Sequence, residues 1–297
     1  MAKENSILTL RGEGKIEALF KKGGIMNEIA VVVSSCDKYS DVWKAFFTLF
    51  FKYWPDCPYP IYLISESIVY PDSRVKMISV KDEDWSTRII TALKSISQPD
   101  VIFMVEDYLI DRPVNTKQIE LLVDYMHKRK AGYLGFVPNP EPDISCDDNS
   151  IVGEVSKGSA YRLSTQAAVW NKDILLRLLR KGESIWDFEI NGTNRTNDLN
   201  VIFLRLKKDP HNNYPIHYPG YTGVTRGRWS LEAVKLCKKE GIQIDLTVRQ
   251  KEKRSDRFKH RTINLLFKLM VLSPLKYFRA SLRRVKLLRH VMDWLNK

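Results

Sequence analysis

Apolar positions along the chain fall into two alternating kinds of run. Residues 29–33 are five consecutive apolar positions, four of them β-branched, closed by Ser34, Ser35, Cys36, Asp37 and Lys38. Such a run reads as a strand buried on both faces. Val42, Phe46, Leu49, Phe50 and Tyr53 then recur at helical spacing, and Pro55, Pro58 and Pro60 stop that helix. Residues 61–64 predict a second strand, ending at Ser65 and Glu66, and residues 75–80 a third. A helix follows Trp85 through Ile89, Ile90, Leu93 and Ile96, with Ser86 as its expected N-cap. Residues 101–105 predict a fourth strand, ending at Glu106 and Asp107, and residues 119–129 another helix. Residues 139–158, rich in Pro, Asp, Ser and Asn, read as a long loop, and residues 231–239 as a helix. Strands alternating with helices specify an α/β fold, a mostly parallel sheet with helices on both faces. Ligands of such sheets bind beyond the C-terminal ends of the strands, so the polar loops after the first, second and fourth strands hold the candidate chemistry.

Glu106 and Asp107 are the most informative of these positions. A carboxylate at a buried strand end is costly without a cation or a hydrogen-bond partner. A divalent ion bridging a nucleotide diphosphate is one such partner, because hard ions take carboxylate oxygens. Helix capping, or an ion pair with an arginine such as Arg88, is the alternative. Ser35, Asp37, Lys38 and Glu66 stand at the other strand ends. Asp37 or Glu66 can accept from a base or ribose, and Lys38 can meet phosphate; each also reads as an ordinary loop residue. Asp187 and Glu189 sit beside Trp186 and Phe188, and an aromatic setting raises a carboxyl pKa by desolvation. Both acids equally suit the start of a helix, where they complement its dipole. A Gly-punctuated basic stretch, residues 218–228, either closes over phosphates or turns the chain. His211 and His217, six residues apart, fit no helical metal pair and read as structural. The sequons at Asn191 and Asn194 mark a polar loop.

In their order and spacing these segments resemble nucleotide-sugar-dependent glycosyltransferases of the GT-A fold, a Rossmann-like architecture. The likeness is strongest to bacterial enzymes of surface-polysaccharide (lipopolysaccharide or capsule) biosynthesis. Residues 31–37 resemble the nucleotide-contacting start of those families. Glu106, Asp107 and Tyr108 stand where the families carry an acidic metal motif, often Asp-x-Asp, from which this triplet departs. Residues 161–170 and 184–189 resemble the acceptor segment and the carboxylate after it. The resemblance covers roughly residues 27–220.

It implies an inverting, hexosyltransferase-like enzyme that moves a sugar from a nucleotide-diphosphate donor, a UDP-sugar first of all, to a lipid-linked or glycan acceptor. Such chemistry needs a base for the acceptor hydroxyl and neutralisation of the departing diphosphate. Asp187 is the expected base, with Glu189 as its neighbour or an acceptor-hydroxyl ligand. Glu106 and Asp107 are expected on Mn²⁺ or Mg²⁺. Ser35, Asp37, Lys38, Glu66, Arg88 and Glu106 are expected toward the donor, and Trp186, Gln166 and Tyr161 toward the acceptor. Two other classes stand beside this one. A nucleotidyltransferase is disfavoured because no Gly-rich basic loop follows the first strand. A non-enzymatic membrane or nucleic-acid adaptor leaves the strand-end acids unexplained.

Charge changes the picture at one end of the chain. The 297 residues carry 48 Lys+Arg and 35 Asp+Glu. Residues 249–297 hold 15 Lys/Arg against 3 Asp/Glu, a net +12, while residues 1–248 hold 33 against 32, a net +1. A uniformly basic protein that coats nucleic acid is thereby excluded. Leu275, Phe278, Leu282, Val285, Leu288, Met292 and Leu295 form a helical stripe, with Lys276, Arg279, Arg283, Arg284 and Lys286 as basic neighbours. Such a helix suits an anionic membrane surface, each basic group contributing about 1 kcal/mol. Packing of the stripe on the body or in a homodimer, binding of a partner protein, and binding of nucleic acid are the alternatives, the last without a recognisable nucleic-acid fold in the tail. The expected division is an N-terminal extension, 1–26, a catalytic domain, 27–248, and a basic amphipathic tail, 249–297. The expected location is cytoplasmic, peripheral on the inner face of the cell membrane. No apolar run reaches 18 residues, and residues 1–24 hold no signal-peptide core. Four scattered cysteines without a Cys-x-x-Cys pair exclude a zinc ribbon and fit a reducing compartment.

Overall fold

The run at residues 29–33 becomes β1 (Ile29–Ser34), and its alternation organises both faces of the sheet. Ile29, Val31 and Val33 pack into one apolar cluster with α1 (Ser40–Tyr53). Ala30 and Val32 enter a second cluster with α2 (Trp85–Ser95). Successive strand side chains point to opposite faces, so a continuous apolar run must be covered twice. The structure is a computed structural model and describes residues 28–81, 83–219 and 222–253. The expected N-terminal extension and the tail positions Arg279, Arg283, Arg284 and Lys286 lie outside the described residues. The chain divides into two units, Met1–Arg249 and Gln250–Lys297, and the first carries the sheet.

The remaining elements are β2 (Ile61–Ser65), β3 (Val75–Ser79), β4 (Asp100–Val105), α3 (Thr116–Lys128), β5 (Ala131–Gly135), β6 (Ile144–Cys146), β7 (Asn149–Glu154), β8 (Ala168–Asn171), α4 (Lys172–Leu178), β9 (Ile202–Leu206), β10 (Val224–Thr225), β11 (Arg228–Trp229) and α5 (Leu231–Lys239). Nine strands form one sheet in the order β3-β2-β1-β4-β8-β5-β9-β7-β6, and β10 and β11 form a separate hairpin. β1 is parallel to β2 and to β4, with Val31 opposite Ile61 on one side and Ile102 on the other. β8 runs antiparallel between β4 and β5, and β5 is parallel to β9. Only β7 and β8 oppose the common direction, so the expected α/β fold with a mostly parallel, helix-covered sheet is what the chain adopts.

Three local expectations change. The N-cap of α2 is Asp84, whose carboxylate accepts from the Thr87 amide at 2.9 Å. Ser86 is buried instead and donates to the Arg180 carbonyl at 2.5 Å. The stretch 139–158 is no plain loop: β6 and β7 form a hairpin that adds to the sheet through β9. These strands lie at the edge with one face exposed, so their apolar residues are divided: Cys146 and Val152 are buried, while Ile144 and Ile151 face solvent. The sequon threonines, Thr193 and Thr196, are buried in helical turns. Among the described residues no helix is long and apolar enough to cross a membrane.

Candidate active site

β1 and β4 lie side by side, with Ser34 opposite Val105, so their C-terminal ends open at one place. A cavity of about 550 Å³ sits there. Two tryptophans fix its serine wall from opposite faces of the sheet. The Trp43 indole of α1 donates to Ser35 Oγ at 2.7 Å, and the Trp85 indole of α2 donates to Ser34 Oγ at 3.0 Å.

Glu106 and Asp107 follow β4 into the cavity wall and are 4% and 7% exposed. Arg88, which lines the cavity, is paired with Glu66, and Arg249, whose charge acts on both acids, is paired with Asp41. Asp107 seats the basic stretch 218–228, which the sequence reads either as closing over phosphates or as turning the chain. Its carboxylate accepts from the Thr222 hydroxyl and from the Val224 amide at 3.0 Å, and its carbonyl accepts from the Gly223 amide at 2.7 Å. A Cβ at Gly223 would lie 2.6 Å from that carbonyl, so only glycine permits the approach. Thr222, Val224, Thr225 and Arg226 thereby become a wall of the cavity.

Burial raises the Glu106 carboxyl well above the carboxylate range, and the Asp107 charge adds to it, against opposing hydrogen bonds and the charge of Arg249. Burial also raises Asp107, opposed by its bonds from Thr222 and Val224. A cation would relieve both. The donors are hard oxygens on two adjacent residues, and among the described residues no group of three or more His, Cys, Asp and Glu gathers. This set does not fit a closed, all-protein metal cage. It fits Mg²⁺ or Mn²⁺ that keeps water and substrate phosphate as its other ligands.

Of the expected donor contacts, Ser35, Arg88 and Glu106 line the cavity; Asp37, Lys38 and Glu66 do not. Asp37 accepts from the backbone amides of Glu66, Ser67 and Ile68 at 3.0–3.2 Å and from the Ser67 hydroxyl at 2.5 Å. Desolvation works against its charge, but those hydrogen bonds hold the carboxyl at about 2. Glu66 accepts from the Asp37 amide and from Arg88 Nη1, the latter at 2.6 Å. The two acids therefore lash the β1 and β2 loops together and aim Arg88. Lys38 is exposed, and its carbonyl accepts from Arg249 Nη2 at 2.9 Å.

Of the expected acceptor contacts, Gln166 and Trp186 line the cavity, while Tyr161 lies outside it, 52% exposed. Tyr218 stacks on Tyr108 at 4.7 Å and donates to Gln166 Oε1 at 2.6 Å, which fixes the amide. A single helical turn, Ile185–Asp187, runs into a π-turn, Phe188–Gly192. Asp187 closes a capping box with Ser184, is exposed and does not reach the cavity. Hydrogen bonds from Ser184 hold its carboxyl below the usual range. Two residues on, about 200° around a helix at 3.6 residues per turn, Glu189 points inward. It is 9% exposed, lines the cavity, and its Oε1 accepts from the Thr165 amide at 2.7 Å and hydroxyl at 2.8 Å. Wide π-turns of this kind recur at functional sites. His217 pairs with Asp111 at 2.6 Å and stays outside the cavity. Trp43, Trp85 and Thr165 carry no site signal of their own in the sequence; Thr222 and Tyr218 fall within the stretch 218–228, but their partners Asp107 and Gln166 lie 115 and 52 residues away.

No family model matches the chain, and no curated protein sequence matches it. Solved structures of similar backbone include an S. aureus TarS fragment, at 10% identity and a TM-score of 0.40, over 62% of this chain and 58% of that one. A cytidylyltransferase from Leptospira borgpetersenii matches at 8% identity and 0.40, over 76% of this chain and 98% of that one. The mannosyltransferase PcManGT from Pyrobaculum calidifontis, in complex with GDP-Man and Mn²⁺, matches at 11% identity and 0.42, over 62% and 55%. The chain thus spans little more than half of the TarS fragment and of PcManGT. Scores below 0.5 that include both reaction types do not choose a reaction, and the site geometry has to do so.

Proposed function

We propose that this chain is a nucleotide-sugar-dependent glycosyltransferase of GT-A type, with Glu189 as its base. The observation that carries the reading is a single cavity at the ends of β1 and β4, lined both by the buried carboxylate of Glu189 and by the buried acid pair Glu106 and Asp107. Oε1 of Glu189 is held by Thr165, which leaves Oε2 to take the proton of an acceptor hydroxyl. Asp187, exposed and bound to Ser184, gives up the role that the aromatic setting suggested for it. Glu106 and Asp107 would hold a divalent cation, which when bound supplies charge neutralisation for the departing diphosphate. Ser35, Arg88 and Arg226 stand on the donor side, and Gln166 and Trp186 on the acceptor side.

The donor proposed is a UDP-sugar and the acceptor a lipid-linked glycan of bacterial surface-polysaccharide assembly, with residues 250–297 on the inner membrane face. Titration calorimetry with UDP, GDP and CDP, with and without Mn²⁺, tests the reading. One nucleoside diphosphate is expected to bind, more tightly with Mn²⁺, and Glu106→Gln is expected to remove the Mn²⁺ effect. Failure of all three to bind would sink it. Pyrophosphate released from a nucleoside triphosphate, in place of diphosphate from a nucleotide sugar, would assign the chain to the nucleotidyltransferases.

A further inference from the structure

Arg249 stands at the end of the first unit and is only 6% exposed. By charge count it belongs to the basic tail; in the fold it is a cross-brace. Its Nε and Nη2 fork onto the two oxygens of Asp41, both at 2.8 Å. Nη2 also donates to the Lys38 carbonyl at 2.9 Å, and Nη1 donates to the Gly227 carbonyl at 3.2 Å. The guanidinium lies 4.4 Å over the Tyr39 ring.

These partners belong to two different walls. Lys38 and Asp41 flank Tyr39, which lines the cavity beside Ser35 and Cys36. Gly227, with φ +70°, is in the tight turn between β10 and β11, next to the lining residues Thr225 and Arg226. At its other end the same hairpin is seated on Asp107 through Thr222, Gly223 and Val224. The hairpin is therefore held at two points, by a carboxylate of the site and by Arg249.

We propose that Arg249 is a positioning residue, a clamp that fastens the 222–228 hairpin to the Lys38–Asp41 turn and so sets the wall against which the donor binds. The donor part of this statement rests on the transferase reading above. The clamp needs arginine, because a planar fork with five donors serves three acceptors at once. Lysine keeps the charge but presents a point donor. The charge also faces the buried acids, where it opposes the upward pull of burial on Glu106 and Asp107.

Full-length Arg249→Lys and Arg249→Met test the clamp in two ways. Hydrogen exchange is read at the amides of Gly223 and Val224, which donate to Asp107, and of Ser230, which donates to the Gly223 carbonyl, against those of β1 and β4. At least tenfold faster exchange is expected at the three hairpin amides in Arg249→Met, with the strand amides within twofold of the parent. Equal acceleration everywhere, or no change at the hairpin, would overturn the clamp. In turnover, Arg249→Met is expected to raise KM for the nucleotide sugar about tenfold with kcat within threefold, and Arg249→Lys to recover part of the loss. A fall in kcat alone would overturn its role in donor binding. Exchange needs no ligand, so a parent protein that turns over no nucleotide sugar would remove the transferase reading while exchange still decides the clamp.

Discussion

Replacing Glu189 by glutamine separates the two acids of the 184–189 segment. The carboxylate accepts two hydrogen bonds from Thr165 on Oε1, and the glutamine carbonyl can accept both, so the π-turn and the buried threonine keep their partners. Only proton acceptance at the second oxygen is lost. A positioned general base contributes about 10²–10⁴-fold, so kcat is expected to fall at least ~100-fold, with nucleoside diphosphate affinity within twofold. Glu189→Ala differs in kind. It strands the Thr165 amide and hydroxyl, and each buried donor left unsatisfied costs about 1–3 kcal/mol. At ~2–4 °C per kcal/mol for a domain of this size, its melting point falls by several degrees, whereas that of the glutamine variant stays close to the parent. Asp187→Asn loosens the capping box with Ser184 and is expected to leave turnover within twofold. Initial rates of nucleoside diphosphate release, beside melting curves, read all three. Full turnover in a well-folded Glu189→Gln variant would refute the assignment. So would an Asp187→Asn variant with normal melting and a comparable loss of rate.

Gly223→Ala places a methyl 2.6 Å from the Asp107 carbonyl, so the hairpin has to lift off Asp107; calorimetry should show at least tenfold weaker nucleotide binding, and the melting point should fall as the bonds to the buried Asp107 are lost. His127 Nε2 donates to the Asp100 carboxylate at 2.5 Å, and this bond, with the Asp100 charge, raises the imidazole above its usual 6.5 against the opposing effect of burial. A raised folded pKa stabilises below the unfolded value and loses that contribution as pH rises through the folded one. Urea midpoints should therefore fall on the alkaline side of 6.5 for the parent and less so for His127→Gln. Asp37 has the opposite sign: its carboxyl, at about 2 against an ordinary 3.8, stabilises fully above about pH 4 and loses this as pH falls toward 2. Asp37→Asn should flatten that acid limb in a pH series of urea unfolding. Liposome flotation comparing residues 1–253 with the full chain should show anionic vesicles floating only the latter. Cutting after residue 253 keeps Arg249 in the first unit.

The strands and helices that build the sheet were legible because their signal is local. An apolar run such as 29–33 must be buried on both faces, and helical spacing over 42–53 admits one covered stripe. The placing of Glu106 and Asp107 at a ligand-bearing edge followed from the same pattern, since strand direction in an alternating α/β chain decides where the loops gather. The β6–β7 hairpin escaped because edge strands of three and six residues, half exposed, leave too little periodicity to read.

The roles of the polar residues were decided by pairings that no window of sequence contains. Asp37 and Glu66 hold the attributes of ligand contacts, and the fold consumes both between two loops and Arg88. Asp187 and Glu189 share one aromatic setting, and the turn of the helix sends one to solvent and the other into the cavity. Arg249 reads as one more charge of a basic tail, yet its carboxylate lies 208 residues away in α1. Local periodicity determines which elements form and which faces they bury. What a buried charge does depends on which distant group folding brings within hydrogen-bond reach, and that information exists only in three dimensions.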